Sequence, residues 1–243
     1  MAERPVFVAK KSYPFYESVE VSFKYFAGFA LVQRQRNIAG IHEAFHKLYP
    51  KLSVLEASSK APSELGKSLS PFYLMCSYRD KEYPVENVFQ AAKVFQAGGP
   101  YLQLLDLEAI KAKTTSLTKT SGPLLYYDYD GHKYPLEPKG WLYDWIYMHA
   151  LHAQPELAKA ALDYDAFTDI AFNPKTGSTC QAKALAIYKG LVQKNLLEEA
   201  LASIPAFLKI VFHAKWPDVQ TAAADAKDPE KTDGLAAAES EIQ

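Results

Sequence analysis

From Gly140 to about Phe212 the chain places apolar residues almost continuously at helical spacing, in the runs GWLYDWIYMHALH, PELAKAALDYD, CQAKALAIYKGLVQ and LLEEALASIPAFL. A second half written that way builds its core from packed helices, so the sheet is expected from the first half. There the period changes repeatedly. Val19, Val21, Phe23 and Tyr25 alternate with Ser18, Glu20, Ser22 and Lys24, which predicts a half-buried strand over 17–25. Ile38, Ile41, Phe45 and Leu48 return every three or four residues, an amphipathic helix over 33–48 that Pro50 stops. LSVLEAS reads as a short core strand, 58–66 as a polar loop, and 72–76 as an apolar run before the turn Arg79-Asp80-Lys81. Asp-Gly inside YYDYDGHKY predicts a tight hairpin over 126–134. The expected fold is a single α+β domain, mainly helical, with a small antiparallel sheet or hairpins.

Charge narrows the function. With 27 basic and 28 acidic side chains and a formal net charge of -1, no global positive field holds this chain to nucleic acid. Any such contact must be local. Cys76 and Cys180 are too few for a disulfide framework and neither sits in a C-x-x-C pair, as expected for a reducing compartment. No apolar run approaches the roughly 20 residues of a membrane span, and MAERPVFVAKK lacks the apolar core of a secretion signal. The expectation is a cytoplasmic protein without membrane partners. Residues 214–243 are small and charged, with almost no large apolar side chains, and are expected to be mobile.

The strongest helical pattern opens after Pro84 as VENVFQAAKVFQ, with Val88, Ala92 and Phe95 on one face and Gly98-Gly99 as its stop. Glu86, Gln90 and Lys93 share the opposite ridge. A glutamate there can exchange protons, and a desolvated lysine can attack a sugar carbon or hold phosphate; a solvated face with a weak charge pair fits the same spacing. His42-Glu43-Ala44-Phe45-His46 fits the zinc pattern H-E-x-x-H, with Glu56 or Glu64 as a third ligand. The apolar stripe of the same helix favours a partly exposed surface helix over a metal centre. Ser58-Ser59-Lys60 can surround an anion or be an ordinary loop. Trp141, Tyr143, Trp145 and Tyr147 can stack on a base or fill the core, and Asp163, Asp165 and Asp169 around Phe167-Thr168 can bind ribose or cap a segment. No dinucleotide fingerprint, Walker loop, nucleophile elbow or paired-cysteine metal motif is present.

Taken in order, residues 54–95 resemble the N-terminal half of the NADAR, or YbiA-like, family. The turn Leu69-Ser70-Pro71-Phe72, then Tyr83-Pro84-Val85-Glu86, then Gln90-Ala91-Ala92-Lys93 follow that family's pattern, with Pro71 where it usually has asparagine. VSFKYFAGF, Gly98-Gly99-Pro100-Tyr101, PLEPK, Tyr143-Asp144-Trp145 and DYDAFTDIAFNP resemble one branch, the NADAR antitoxins encoded beside DarT-type toxins that ADP-ribosylate guanine in DNA. The tryptophan-glycine pair common late in other members is missing. The resemblance implies a domain over 1–213 with its core motifs in 54–192, and an ADP-ribosyl-guanine N-glycosidase that restores the base without metal or cofactor. It implies Glu86, Lys93 and Asp169 as catalytic residues, with Lys93 or Lys60 either adding to C1 as an amine or neutralising the pyrophosphate. Ser58, Ser59, Lys60, Ser70, Phe72, Gln90, Trp145, Asp165 and Thr168 would contact substrate. The implied partners are ADP-ribosylated, single-stranded or unpaired DNA and, functionally, the cognate toxin. Two alternatives stay open: an N-glycosidase of a small phosphoribosylated metabolite, and a protein that binds ADP-ribose or toxin without turnover.

Overall fold

The alternation around Val19 does form a strand, and the residues before it form another that the sequence conceals. In the computed structural model, which describes residues 1–175 and 177–215, β1 (Ala2–Ala9) and β2 (Tyr16–Phe23) pair antiparallel from Ala2 opposite Phe23 to Ala9 opposite Tyr16. Pro5 argues against a strand, because proline donates nothing to a ladder. It is accommodated because the second neighbour of β1 pairs only with Phe7 and Val8. Helix α1 (Leu31–Leu48) lays Ile38, Ile41 and Phe45 against Val6, Val8, Val21 and Phe23. Leu48, on the predicted stripe, is exposed instead. From residue 216 onward the tail expected to be mobile lies outside the described residues.

The middle of the chain is a run of short elements: β3 (Val54–Glu56), α2 (Glu64–Ser68), the hairpin β4 (Met75–Tyr78) and β5 (Lys81–Pro84), then α3 (Val85–Ala91) and β6 (Lys93–Phe95). The end of α3 corrects the sequence reading, which carried this helix to residue 96. Val94 and Phe95 suit a pleated strand, and the pairing of β6 with β7 overrides the helical period. Gly98-Gly99 therefore does not stop the helix but turns the chain after β6, with positive φ at both residues. A 3-10 turn (Leu102–Leu104), α4 (Ala109–Thr114) and α5 (Ser116–Thr120) follow. The predicted hairpin forms as β7 (Leu124–Tyr129) and β8 (His132–Tyr134), with Asp130 and Gly131 both at positive φ as a tight hairpin turn requires.

In the helical half lie α6 (Trp141–His152), α7 (Pro155–Leu162), α8 (Gln181–Lys194), α9 (Leu197–Leu201) and α10 (Ile204–Phe212), the last two split where one continuous segment reads as helix. One strand interrupts them. β9 (Ala166–Thr168) inserts between β1 and β3, giving the order β2-β1-β9-β3. It pairs parallel with β3, so the main sheet is mixed rather than antiparallel. A three-residue strand buried on both faces shows no alternation, which is why the sequence does not announce it. The fold class stands: α+β, with several small sheets. Among the described residues no helix is long and apolar enough to cross a membrane.

Two consequences position the site. Because β2 and β9 are both antiparallel to β1, and β3 is parallel to β9, the carboxyl ends of β2, β9 and β3 leave the sheet at the same edge. In addition, Asn87 of α3, wholly buried, donates from Nδ2 to the carbonyls of Leu104, Leu105 and Leu107, at 2.9, 3.1 and 2.7 Å. That clamp fixes the segment leading into α4. Asn87→Ala strands the carbonyls of the buried Leu104 and Leu105 and is expected to lower stability by about 1–3 kcal/mol, read as a shifted urea midpoint.

Candidate active site

The turn Leu69-Ser70-Pro71-Phe72 acts through its backbone. The Pro71 carbonyl accepts the Glu86 N–H at 2.9 Å, and the Leu74 carbonyl accepts that of Val85, also at 2.9 Å, so the turn fixes the first turn of α3. Leu69 in turn is held from α6, where the Tyr147 hydroxyl donates to its carbonyl at 2.7 Å. The Ser70 hydroxyl oxygen accepts the Phe72 N–H at 3.4 Å. A carbonyl is indifferent to its own side chain, so the proline at this position still holds Glu86 in place.

Glu86 is only 3% exposed. Its Oε1 accepts from Gln90 Nε2 at 2.8 Å, and Gln90 Oε1 accepts from Lys93 Nζ at 2.8 Å. The predicted ridge is therefore a continuous hydrogen-bonded chain, although its last member leaves on β6. The Lys93 ammonium also lies 4.5 Å from the Phe89 ring centroid. Burial pulls the Lys93 pKa down to about 8; Lys113 pushes the same way, against Glu86. Lys113, from α4, stands across the carboxylate, 3.5 Å from Glu86 Oε2 and 5.2 Å from the Phe72 ring centroid, with half of its side chain exposed.

Asp169 completes this group. Desolvation raises its pKa and Glu86 adds to the rise, while the Ala171 N–H, Lys113 and Gln181 oppose it. Gln181, the first residue of α8, donates to the Ala57 carbonyl at 2.5 Å and accepts from the Tyr143 hydroxyl at 3.2 Å. Behind Asp169, Glu56 at the end of β3 accepts from the Thr168 hydroxyl at 2.6 Å and from the Ile170 N–H at 2.9 Å. The Glu56 carboxylate thus grips the residues on either side of Asp169. Burial raises the Glu56 pKa, Asp169 adds to it, and hydrogen bonds from Ile170, Ser58 and Thr168 oppose it.

Trp145, Asp165 and Thr168 make contacts within the frame. Trp145 packs edge-on to Phe207 at 5.3 Å and against His149 at 4.0 Å, on the side of α6 opposite Tyr143 and Tyr147, since two residues along a helix turn a side chain away by about 200°. Asp165 is held by Lys189 at 2.9 Å and by the Ser53 N–H and hydroxyl at 3.0 Å, a clip joining α8 to the start of β3. Thr168 is buried between Glu56 and His42. Ser58 is buried, Ser59 half-buried and Lys60 exposed.

The zinc pattern resolves into separate tasks. His42 Nε2 lies 2.9 Å from the Thr168 hydroxyl oxygen, Glu43 pairs with Lys47 at 2.8 Å, and His46 is exposed. Since the Thr168 proton goes to Glu56, His42 is the donor, a neutral imidazole with hydrogen on Nε2. Burial, followed by His46, lowers its pKa to about 4. Among the described residues no group of three or more His, Cys, Asp or Glu side chains is arranged to hold a metal ion.

Sequence reasoning missed Glu56 as part of this centre, along with Lys113 and Gln181. Glu56 left a trace, a lone acid in an apolar strand, because a buried carboxylate must have partners. Lys113 left none, since its placement depends on the Asn87 clamp.

The family model of DarT1-associated NADAR antitoxins matches residues 2–221, and the chain belongs to that family. No curated protein matches it.

Lys113→Ala is expected to raise the Lys93 pKa by removing a like charge and freeing Glu86 to attract the ammonium. The acetylation rate of Lys93, followed against pH by peptide mass spectrometry, should move to higher pH.

Proposed function

We propose that this chain cleaves the bond between guanine and the ribose C1 of ADP-ribose in DNA, and that this hydrolysis is how it acts as an antitoxin to its DarT1 toxin. The observation that carries the reading is the buried Glu86–Gln90–Lys93 chain with Lys113 across from it. Breaking a ribosyl bond develops positive charge at C1, and a carboxylate fixed in a dry site stabilises it without reorganising. Glu86 is such a group. Lys113, half exposed, would hold the pyrophosphate.

Lys93 supplies the nucleophile. With a pKa near 8 a substantial share of its amine is neutral in mildly alkaline solution. The sugar opens as the C1–O4 bond breaks, O4 taking the proton that the guanine nitrogen loses as it forms an imine with C1. Nζ then bonds to C1 and the bond from C1 to guanine nitrogen breaks, leaving a lysine imine; the two protons of the amine pass to the guanine nitrogen with Glu86 as the carrier. Water then releases the sugar and restores the lysine. Asp169 is the second acid and orients that water. Ser58, Ser59, Ser70, Phe72 and Gln90 are proposed to line the ADP-ribose groove.

Turnover of an ADP-ribosylated oligonucleotide by the full chain is expected to fall about 10²- to 10⁴-fold in Glu86→Gln, with folding unchanged and protection of toxin-expressing cells lost. The wild-type rate should rise through about pH 8 as Lys93 deprotonates. Borohydride under turnover should leave a sugar adduct on Lys93 that Lys93→Ala lacks. Unreacted modified DNA would overturn the reading; turnover without a trapped adduct would remove the lysine step alone.

A further inference from the structure

The segment joining β2 to α1 carries an exposed arrangement that the candidate active site does not use. Lys24 Nζ lies 5.5 Å and Arg36 Cζ 5.8 Å from the Phe26 ring centroid, and Arg34 Cζ lies 5.7 Å from that of Phe29. Phe29 is 91% exposed and Tyr25 42%. Among the described residues none of these three cations forms an ion pair with a carboxylate. The backbone beneath is held. Asn37, fully buried in α1, accepts the Phe26 N–H at 2.8 Å and donates to the Phe26 carbonyl at 2.9 Å. Beside this segment, residues 22–24 and the Arg36–Gly40–Lys47 face of α1 wall an open groove of about 520 Å³.

Cations alternating with exposed rings, on a pinned backbone, suit a ligand that offers flat apolar faces and negative charges at regular intervals. Unpaired nucleotides do so; a duplex hides its faces. Position supports the same ligand. β2 and β9 leave the sheet at one edge, two strands apart, and Asp169 directly follows β9. Continuing the two registers puts Phe23 three residues beyond the level of Asp169, so the separation is roughly 14 Å. A few nucleotides span that distance.

We infer that Lys24, Tyr25, Phe26, Phe29, Arg34 and Arg36 form a sequence-independent landing surface for single-stranded DNA flanking the modified base. The inference deepens the proposed function and rests on it for the identity of the strand, but its first measurement does not involve catalysis. It also explains how a chain of net charge -1 engages DNA, through a local track instead of a global field.

The test is fluorescence anisotropy with an unmodified single-stranded oligonucleotide, the same sequence as duplex, and the full chain. Wild type should bind the single strand more tightly than the duplex, with strong salt dependence. Lys24→Gln/Arg34→Gln/Arg36→Gln should weaken binding at least tenfold and reduce the slope of log affinity against log salt by about 2, the release expected for three phosphates on a single strand. Phe29→Ala should cost about tenfold through lost stacking. Lys24→Gln/Arg36→Gln, confined to exposed positions, repeats the test without disturbing the core. On modified oligonucleotide the variants should raise KM and keep kcat, and on the ADP-ribosylated mononucleoside they should match wild type. Unchanged single-strand affinity in the variants overturns the inference. So does loss of toxin binding with DNA affinity intact, which makes the surface a protein interface. If wild type turns over neither substrate, the glycosidase reading fails, while the affinity series still decides this surface.

Discussion

A carboxylate withdrawn from water has to be compensated where it stands, and much of this fold is organised around two of them, Glu56 and Glu86, with the half-buried Asp169 beside them. An unpaired buried charge is among the most unfavourable features a protein can carry. Glu86 is compensated by Gln90 on one oxygen and Lys113 on the other, and Glu56 by hydrogen bonds from Thr168, Ile170 and Ser58. Asp169 sits between them, with burial and Glu86 raising its pKa and Lys113 and Gln181 lowering it. The groups come from separate parts of the chain, so the charges meet only when the domain is assembled. Each element that supplies a partner is itself held by main-chain contacts: α3 by the Leu69–Phe72 turn, the approach to α4 by Asn87, and α8 by the contact of Gln181 with Ala57.

Close approach of backbone to backbone keeps the Glu56 strand in register with this arrangement. At Gly66 in α2 a Cβ would land on the Glu56 carbonyl oxygen and crowd the Ala61 methyl. Only glycine permits the contact. Glu56 is thereby fixed from its main chain by α2 and from its side chain by the residues flanking Asp169. That double constraint makes it a positioning group: its carboxylate is spent on Thr168 and Ile170, which leaves the Asp169 side chain to face Glu86 and Lys113.

Local signals in the sequence were legible wherever one element determined the outcome. The strand around Val19, helix α1, the Asp-Gly hairpin and the helices of the second half follow from period and turn chemistry alone. So does the association of Glu86, Gln90 and Lys93, because their side-chain chain tolerates the loss of helix after Ala91. What failed was non-local. β9 is three residues long and exists through its neighbours, and Lys113 arrives through a clamp in which Asn87 reaches carbonyls 17, 18 and 20 residues further along the chain. The packing of Trp145 on Phe207 and the pairing of Asp165 with Lys189 are set by the facing of α6 and by α8, and neither is written locally.

Helix α1 shows why a motif has to be read with its surroundings. Its H-E-x-x-H spacing would aim both histidines the same way in isolation, yet the stripe of Ile38, Ile41 and Phe45 sets the roll of the helix against the sheet. That roll turns His42 to the sheet edge, where the residue meets Thr168, and leaves His46 in solvent. With its pKa near 4, His42 stays neutral throughout the ordinary range, so it adds a hydrogen-bond donor but no charge beside Glu56. A cation there would pull the Glu56 pKa down and offset the effect of Asp169 on it. The same helix turns Arg36 to the far side, onto the groove beside β2 that the paired Glu43 and Lys47 also line. The packing of one apolar stripe thus assigns a neutral donor to the acidic centre and positive charge to the outer surface.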